Sequence, residues 1–269
     1  MGLSESAVTP IAGICFDALG TLFELTPLVD EIDERVAPGA GEDFARRLVP
    51  WTWLATAAGR WQPLGEVARA ALAAAARNQR VQLGDTLASE LLSRMQRLPL
   101  ADGAAAVLRA LRPAQLAVLS NDTEQSLRAL AHNAGVAQCF EHLLSADLVR
   151  AFKPAPQVYA LASVAFGVSS DRVLLVSANE WDIAGGHLAG LRTAWIAAGR
   201  PETRVLDVPA DIVVNSLDRL PDALADRGLI DFEPSGATIP GRPLPPGSVY
   251  TGQDKVSADS FPASDPPAY

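Results

Sequence analysis

The sequence has few cysteines, no cluster of basic residues and no long apolar run. Its two cysteines, Cys15 and Cys139, are too few for a disulfide framework and fit a reducing compartment. No uninterrupted apolar stretch approaches the roughly 18 residues of a membrane-spanning helix. The N-terminus shows no basic segment followed by an apolar one, as a secretion signal would. We therefore expect a cytoplasmic protein that makes no contact with a membrane.

Charge and histidine content exclude further classes of function. The formal net charge is -9 and the sequence pI is about 4.8, whereas nucleic-acid binding needs clustered Lys and Arg to displace counterions. The three histidines, His132, His142 and His187, show no metal-ligand spacing, so we predict no metal site built on them. The 269 residues, 49% of them hydrophobic, suffice for one large core with a smaller insert.

Short apolar runs alternate with helical patterns along most of the chain. The runs are near-continuously apolar, which is typical of strands covered on both faces. We predict strands at Ile11 to Phe16, Gln115 to Leu119, His142 to Leu148, Val173 to Val176, Thr193 to Ile196 and Ile212 to Val214. We predict helices at Gly103 to Leu111, Glu124 to Ala134, Pro156 to Phe166 and Asp182 to Gly190. The fold class is therefore α/β, with a Rossmann-like parallel sheet.

One segment interrupts this alternation. From about Pro27 to Leu98 several helical stretches follow one another without a convincing strand, which indicates an inserted helical cap. The last stretch, from about Asp231 to Tyr269, holds 8 of the 20 prolines, together with many Ser, Gly and Asp residues. We predict a catalytic core at residues 1–26 and 99–230, a cap at residues 27–98 and a flexible proline-rich tail at residues 231–269.

Polar residues follow four of the predicted strands. Because ligands of open parallel sheets bind at the carboxyl ends of the strands, these residues are candidates for one site. They are Asp17 and Thr21 after the first strand, Ser120 and Asn121 after the second, Lys153 after the third, and Ser177, Asn179 and Asp182 after the fourth. Helix capping explains most of them singly, but it does not explain why acids, amides and a lysine recur at successive strand ends.

Four motifs carry a family resemblance. FDALGTLF (16–23), VLSND (118–122), FKPAPQVY (152–159) and VSANEWD (176–182) resemble, in order and spacing, the motifs of the haloacid dehalogenase superfamily. Within it, the chain looks most like the L-2-haloacid dehalogenases of type II. The resemblance implies that Asp17 is a nucleophile, that Lys153 keeps it ionised, and that Asp182 with Asn179 positions or deprotonates water.

The resemblance also implies supporting and substrate-binding residues. Thr21 and Ser177 would hold Asp17 and Lys153 in place. The residues expected to contact substrate are Leu19, Ser120, Asn121, Tyr159, Trp181 and an arginine on the first part of the cap. The cap stretches PGAGEDF (38–44) and TWLATAAGRW (52–61) are similar to the family's cap, but the segment between them is about one helical turn shorter. We assign the arginine to Arg47, with Arg46 as the alternative.

Leu19 helps to distinguish between the phosphatase and dehalogenase branches of the superfamily. Phosphatases of the superfamily have a second aspartate at this position, which protonates the leaving oxygen, and dehalogenases usually have tyrosine. Leu19 has no proton to give, and a halide leaving group needs none. We therefore expect hydrolytic dehalogenation of a small 2-haloacid without a cofactor. The alternatives are a magnesium-dependent phosphatase and a non-catalytic member, and a homodimer fits the family.

Overall fold

The parallel sheet forms the centre of the molecule. The structure, a computed structural model, describes residues 9–201 and 204–232. The sheet consists of β1 (Gly13–Phe16), β2 (Gln115–Ser120), β3 (His142–Ser145), β4 (Val173–Ser177), β5 (Arg192–Ile196) and β6 (Ile212–Val214). All neighbouring strands pair in parallel, in the order β3-β2-β1-β4-β5-β6. The residues of β1 and β4 are buried throughout, because helices cover both faces of the sheet.

Helices connect the strands and form the cap. In the described ranges they are α1 (Thr26–Arg35), α2 (Ala40–Ala57), α3 (Leu64–Asn78), α4 (Asp85–Ser93), α5 (Ala104–Ala110), α6 (Glu124–Asn133), α7 (Pro156–Phe166), α8 (Glu180–Leu188) and α9 (Leu220–Ala225). Local signals set several of their ends. Pro156 opens α7, where a missing N–H costs nothing, and Gly167 ends it at a φ of 65°. The Thr123 side chain caps α6 by accepting the Ser126 N–H.

The strand order brings three carboxyl ends together. β1 lies between β2 and β4, and Phe16 is in register with both Val118 and Val176. The residues that follow these three strands therefore lie side by side, beside the point where the strand order reverses. This is where ligands of open α/β sheets bind.

Helices α1 to α4 lie between β1 and α5 in the chain and pack against one another. The cap contacts the core next to Lys153: the Thr56 hydroxyl oxygen accepts the Phe152 N–H at 2.9 Å, and the Trp61 ring lies 4.4 Å from the Phe152 ring. The predicted α/β fold with an inserted helical cap is thus confirmed. The domain limits remain predictions, and residues 233–269 of the predicted tail lie outside the described residues.

Most predicted elements differ from the observed ones by one to three residues at an end, and the differences in β3 and α8 bear on the site. β3 ends at Ser145 rather than Leu148, because the Ser145 hydroxyl accepts the Asp147 N–H and starts a short 3-10 helix. α8 begins at Glu180, so Asp182 lies within its first turn instead of at the predicted start. No helix in the described part of the chain is both long and apolar enough to cross a membrane.

Candidate active site

Asp17 lies directly after β1 and accepts hydrogen bonds on both carboxylate oxygens. Its Oδ2 atom accepts from the Thr21 hydroxyl and from the Asn179 amide, each at 2.9 Å. Its Oδ1 atom accepts from the Lys153 ammonium at 3.0 Å. The side chain is 9% exposed, so the carboxylate is held firmly but still reaches open space.

Lys153 lies between two carboxylates. Its Nζ atom is 3.0 Å from Asp17 Oδ1 and 3.0 Å from Asp182 Oδ2, and its side chain is only 1% exposed. Burial disfavours the charged ammonium, but the charges of the two aspartates outweigh this effect and raise the pKa of Lys153 above its ordinary value. Lys153 therefore stays positive at neutral pH and neutralises one of its two acidic neighbours.

Asp182 is the inner carboxylate of the cluster. It is fully buried, and its Oδ1 atom accepts the Tyr159 hydroxyl at 2.8 Å. Burial and the nearby Asp17 charge raise the pKa of Asp182, while Lys153 and the Tyr159 hydrogen bond oppose that shift. Burial and the Asp182 charge also raise the pKa of Tyr159 well above its usual range. Tyr159 thus remains a neutral donor to Asp182.

The loop after β2 positions the backbone of Lys153. The Asn121 Oδ1 atom accepts the Lys153 N–H at 2.8 Å, and the Ser120 hydroxyl accepts the Asp122 N–H at 3.2 Å. The Ser145 hydroxyl donates to the Asp122 carbonyl at 2.7 Å. Sequence reasoning assigned no role to Asp122 or Ser145, although both are polar residues at strand ends, which is the signal used for the others. The amide NH₂ of Asn121 remains available to a ligand.

Ser177 lies beside Asp17. Its hydroxyl donates to Asp17 Oδ2 at 3.5 Å, the outer limit of a hydrogen bond, and accepts the Asn179 N–H at 3.1 Å. Besides Asp17, Lys153 contacts Asn121 through its backbone N–H and Asp182 through its ammonium group. The Thr21 hydroxyl does hold Asp17, and it also accepts the Ala178 N–H at 2.9 Å.

Two further predicted substrate contacts lie at the edge of the cluster. Leu19 is half-buried two residues after Asp17, and its carbonyl oxygen lies 3.5 Å from the Asn179 amide nitrogen. Trp181 is half-buried in the first turn of α8. Its ring meets the Trp53 ring of α2 edge-on, with centroids 5.6 Å apart. From the sequence we place Trp53 in the cap, but we predict no contact for it in the core.

The two candidate cap arginines make their contacts within α2. Arg47 donates to Asp43 Oδ2 at 3.1 Å and 3.0 Å, and its guanidinium lies 5.7 Å from the centre of the Trp51 ring. The Arg46 side chain is 67% exposed and lies 3.9 Å from Glu42 and Asp43. α2 continues through Pro50, so both arginines belong to one helix. A substrate contact by Arg47 stays a prediction.

The geometry suits nucleophilic attack by a carboxylate. Asp17 Oδ2 accepts two strong hydrogen bonds and is thereby fixed, whereas Oδ1 has one lysine partner and keeps a lone pair free. The Lys153 ammonium at this distance attracts the Asp17 carboxylate more strongly than it would in water, because little solvent screens the pair. The cluster Asp17, Lys153, Asp182 and Tyr159 thus presents one charged, fixed and partly exposed oxygen, supported by a buried second acid.

Comparisons with known proteins give the same picture. Residues 11–190 match the family model of the haloacid dehalogenase-like hydrolases. The chain is 33% identical over 192 residues to haloacetate dehalogenase H-2 of Moraxella sp. (strain B), covering 69% of this chain and 85% of that protein. It is 35% identical over 192 residues to an (S)-2-haloacid dehalogenase of Pseudomonas sp. (strain YL), covering 69% and 82%. The structure of L-2-haloacid dehalogenase from Xanthobacter autotrophicus with chloropropionic acid covalently bound superposes with a TM-score of 0.75 and 27% identity, covering 82% of this chain and 100% of that one.

Proposed function

Because the chain belongs to the haloacid dehalogenase-like hydrolases, we propose that it converts a small 2-haloacid to a 2-hydroxy acid through an ester on Asp17. The relatives named above are dehalogenases of haloacetate and of (S)-2-haloacids. The observation that carries the proposal is the contact of Asp17 Oδ1 with the Lys153 ammonium at 3.0 Å, because it fixes a partly exposed carboxylate oxygen beside a positive charge. The family expected from the four motifs is confirmed.

The first step is displacement of the halide. Asp17 Oδ1 attacks C2 of the acid, the new C–O bond forms as the carbon–halogen bond breaks, and the halide leaves with the electron pair. Thr21 and Asn179 hold Oδ2 and so direct Oδ1 toward the carbon. Ser120 and the free NH₂ of Asn121 are our candidates for receiving the substrate carboxylate.

The second step is hydrolysis of the ester. Water attacks the side-chain carbonyl carbon of esterified Asp17, and collapse of the tetrahedral intermediate releases the 2-hydroxy acid and restores the carboxylate. Asp182, assisted by Asn179, positions the water or takes its proton. The raised pKa of Asp182 makes it a stronger base than an ordinary aspartate.

Two features favour a halide over a phosphate ester as the leaving group. Leu19 lies where a phosphatase needs an acid to protonate the departing oxygen, and halide departs without a proton. Magnesium, which the phosphatase alternative requires, prefers oxygen ligands such as carboxylates, and the described residues contain no group of three or more Asp, Glu, His or Cys side chains that could hold a metal ion.

The test measures halide release from L- and D-2-chloropropionate. We expect release from one enantiomer, loss of release in Asp17→Asn, and normal release in Asp102→Asn, a matched change at an exposed acid. A single-turnover reaction in heavy-oxygen water, followed by mass spectrometry, should place the heavy oxygen in the peptide containing Asp17.

Two results would reverse the assignment. Heavy oxygen that enters the product in the first turnover, and never enters Asp17, would indicate direct attack by water. Halide release from neither enantiomer, together with magnesium-dependent hydrolysis of an aryl phosphate that Asp17→Asn abolishes, would establish the phosphatase alternative.

A further inference from the structure

A cavity separate from the candidate active site lies where the cap meets the core. Its volume is about 350 Å³. It is lined by Ala55, Thr56, Gly59, Arg60 and Trp61 of the cap and by Arg150 of the core. Neither Asp17 nor Lys153 nor Asp182 is among these residues, so the cavity is separate from the catalytic cluster.

The charges that line this cavity are all positive. Arg60 and Arg150 contribute two guanidinium groups, and the lining contains no carboxylate, although the whole chain carries a net charge of -9. Neither arginine side chain has an ion pair or hydrogen bond within the part of the chain that the structure describes. In contrast, Arg47 and Arg35 are paired with acids. Two unpaired guanidinium groups in one concave site favour an anion as the ligand.

The remaining walls suit a short organic acid better than a bare ion. The Trp61 ring is half-buried and stacks at 4.4 Å on Phe152, and Ala55 adds an apolar methyl group. The Thr56 oxygen accepts the Phe152 N–H, which leaves the hydroxyl hydrogen free to donate. An arginine fork matches the two oxygens of a carboxylate, while the ring and methyl group can cover a short alkyl chain.

We propose that this cavity binds a small organic carboxylate between Arg60 of the cap and Arg150 of the core. The bound carboxylate contacts both guanidinium groups, offsets one of their two positive charges, and holds the cap against the core. The site binds its ligand without transforming it, so it does not depend on turnover at Asp17. Its ligand class includes both the substrate and the product of the proposed reaction.

Calorimetric titration of the full chain with propionate, which has no leaving group, tests the proposal at low ionic strength. We expect a Kd of about 1 mM, in the range of weak ligands of this size, and a change in Trp61 fluorescence that is absent from Trp61→Phe. The double variant Arg60→Gln/Arg150→Gln should weaken binding at least tenfold. Arg97→Gln/Arg109→Gln, which removes the same charge from exposed positions of the cap segment and the core, should leave binding unchanged.

Three outcomes would overturn the proposal. One is equal binding by the two double variants. Another is a single propionate site that Ser120→Ala/Asn121→Ala abolishes and that Arg60→Gln/Arg150→Gln leaves intact, because that site would be the catalytic cluster. The third is an equal response to sodium chloride at the same concentration, which would indicate a halide or an ionic-strength effect. None of these binding measurements depends on dehalogenation. They therefore test the cavity even if the proposed reaction at Asp17 is not observed.

Discussion

Replacing Lys153 by methionine would remove a buried positive charge while keeping a side chain of similar length. In the variant, Asp17 and Asp182 would face each other without the ammonium that now lies 3.0 Å from each. One carboxylate would then have to take up a proton or remain charged in a buried site. We expect the protein to lose both stability and dehalogenase activity, because the same charge supports the fold and the nucleophile.

The size of the stability loss follows from the burial of the cluster. Removing one partner of a buried ion pair costs about 3–5 kcal/mol, because the partner charge is left uncompensated. With a slope of about 2 kcal/mol per M in urea, the unfolding midpoint should fall by roughly 2 M. The double variant Lys153→Met/Asp182→Asn should recover part of the lost stability, because it removes one of the two carboxylates left without the lysine.

Urea unfolding followed by circular dichroism at pH 7 measures this effect. Lys153 and Lys255 are the two lysines of the chain, so Lys255→Met is the control for losing a lysine. A midpoint shift in Lys153→Met no larger than the control's would refute the reasoning, because it would mean that the ammonium does not compensate the carboxylates.

The pH dependence carries a further signature of Lys153. Its folded-state pKa is raised above the ordinary value of 10.5. The stability it contributes is therefore fully present below about pH 10.5 and is lost as the pH rises through the folded-state pKa. The difference in unfolding free energy between the wild type and Lys153→Met should therefore shrink as the pH rises through that alkaline range.

Three other predictions concern the surroundings of the cluster. Tyr159→Phe removes a hydrogen bond that lowers the pKa of Asp182, so the acidic limb of the kcat/KM profile should move to higher pH; an unmoved limb would mean that another group is the base. Gly185→Ala would place a methyl group against the Tyr159 hydroxyl and should lower both the thermal midpoint and the activity. Gly65→Ala, at a helix position where the added methyl group meets open space, should lower neither. Trp53→Ala removes the edge-on contact with the ring in α8 and should cost about 1 kcal/mol by scanning calorimetry; an unchanged midpoint would show that this contact does not hold the cap.

The sheet could be predicted closely from the sequence, because its strands are buried on both faces and therefore consist of nearly continuous apolar runs. The stretch after Ser145 is equally apolar but turns into a 3-10 helix, because one hydroxyl captures the Asp147 N–H. Apolar character cannot distinguish these two outcomes, since only the local hydrogen bond decides between them.

The members of the site could be predicted from their positions at strand ends, but their partners could not. Nothing near Asn121 in the chain indicates that its oxygen holds the backbone of Lys153. Tyr159 was expected to touch substrate, yet its hydroxyl meets Asp182 in the interior. Such pairs depend on how helices pack over the sheet, and residue spacing does not encode that packing.

The bond between the Thr56 hydroxyl and the Phe152 N–H has a consequence for protein engineering. It fastens a cap helix to the peptide unit between Ala151 and Phe152, one residue before Lys153. A chimera that receives its cap from another family member would therefore inherit a different anchor for that peptide unit. A grafted cap intended to change only substrate choice should therefore keep a hydroxyl at position 56, so that the backbone beside Lys153 retains this anchor.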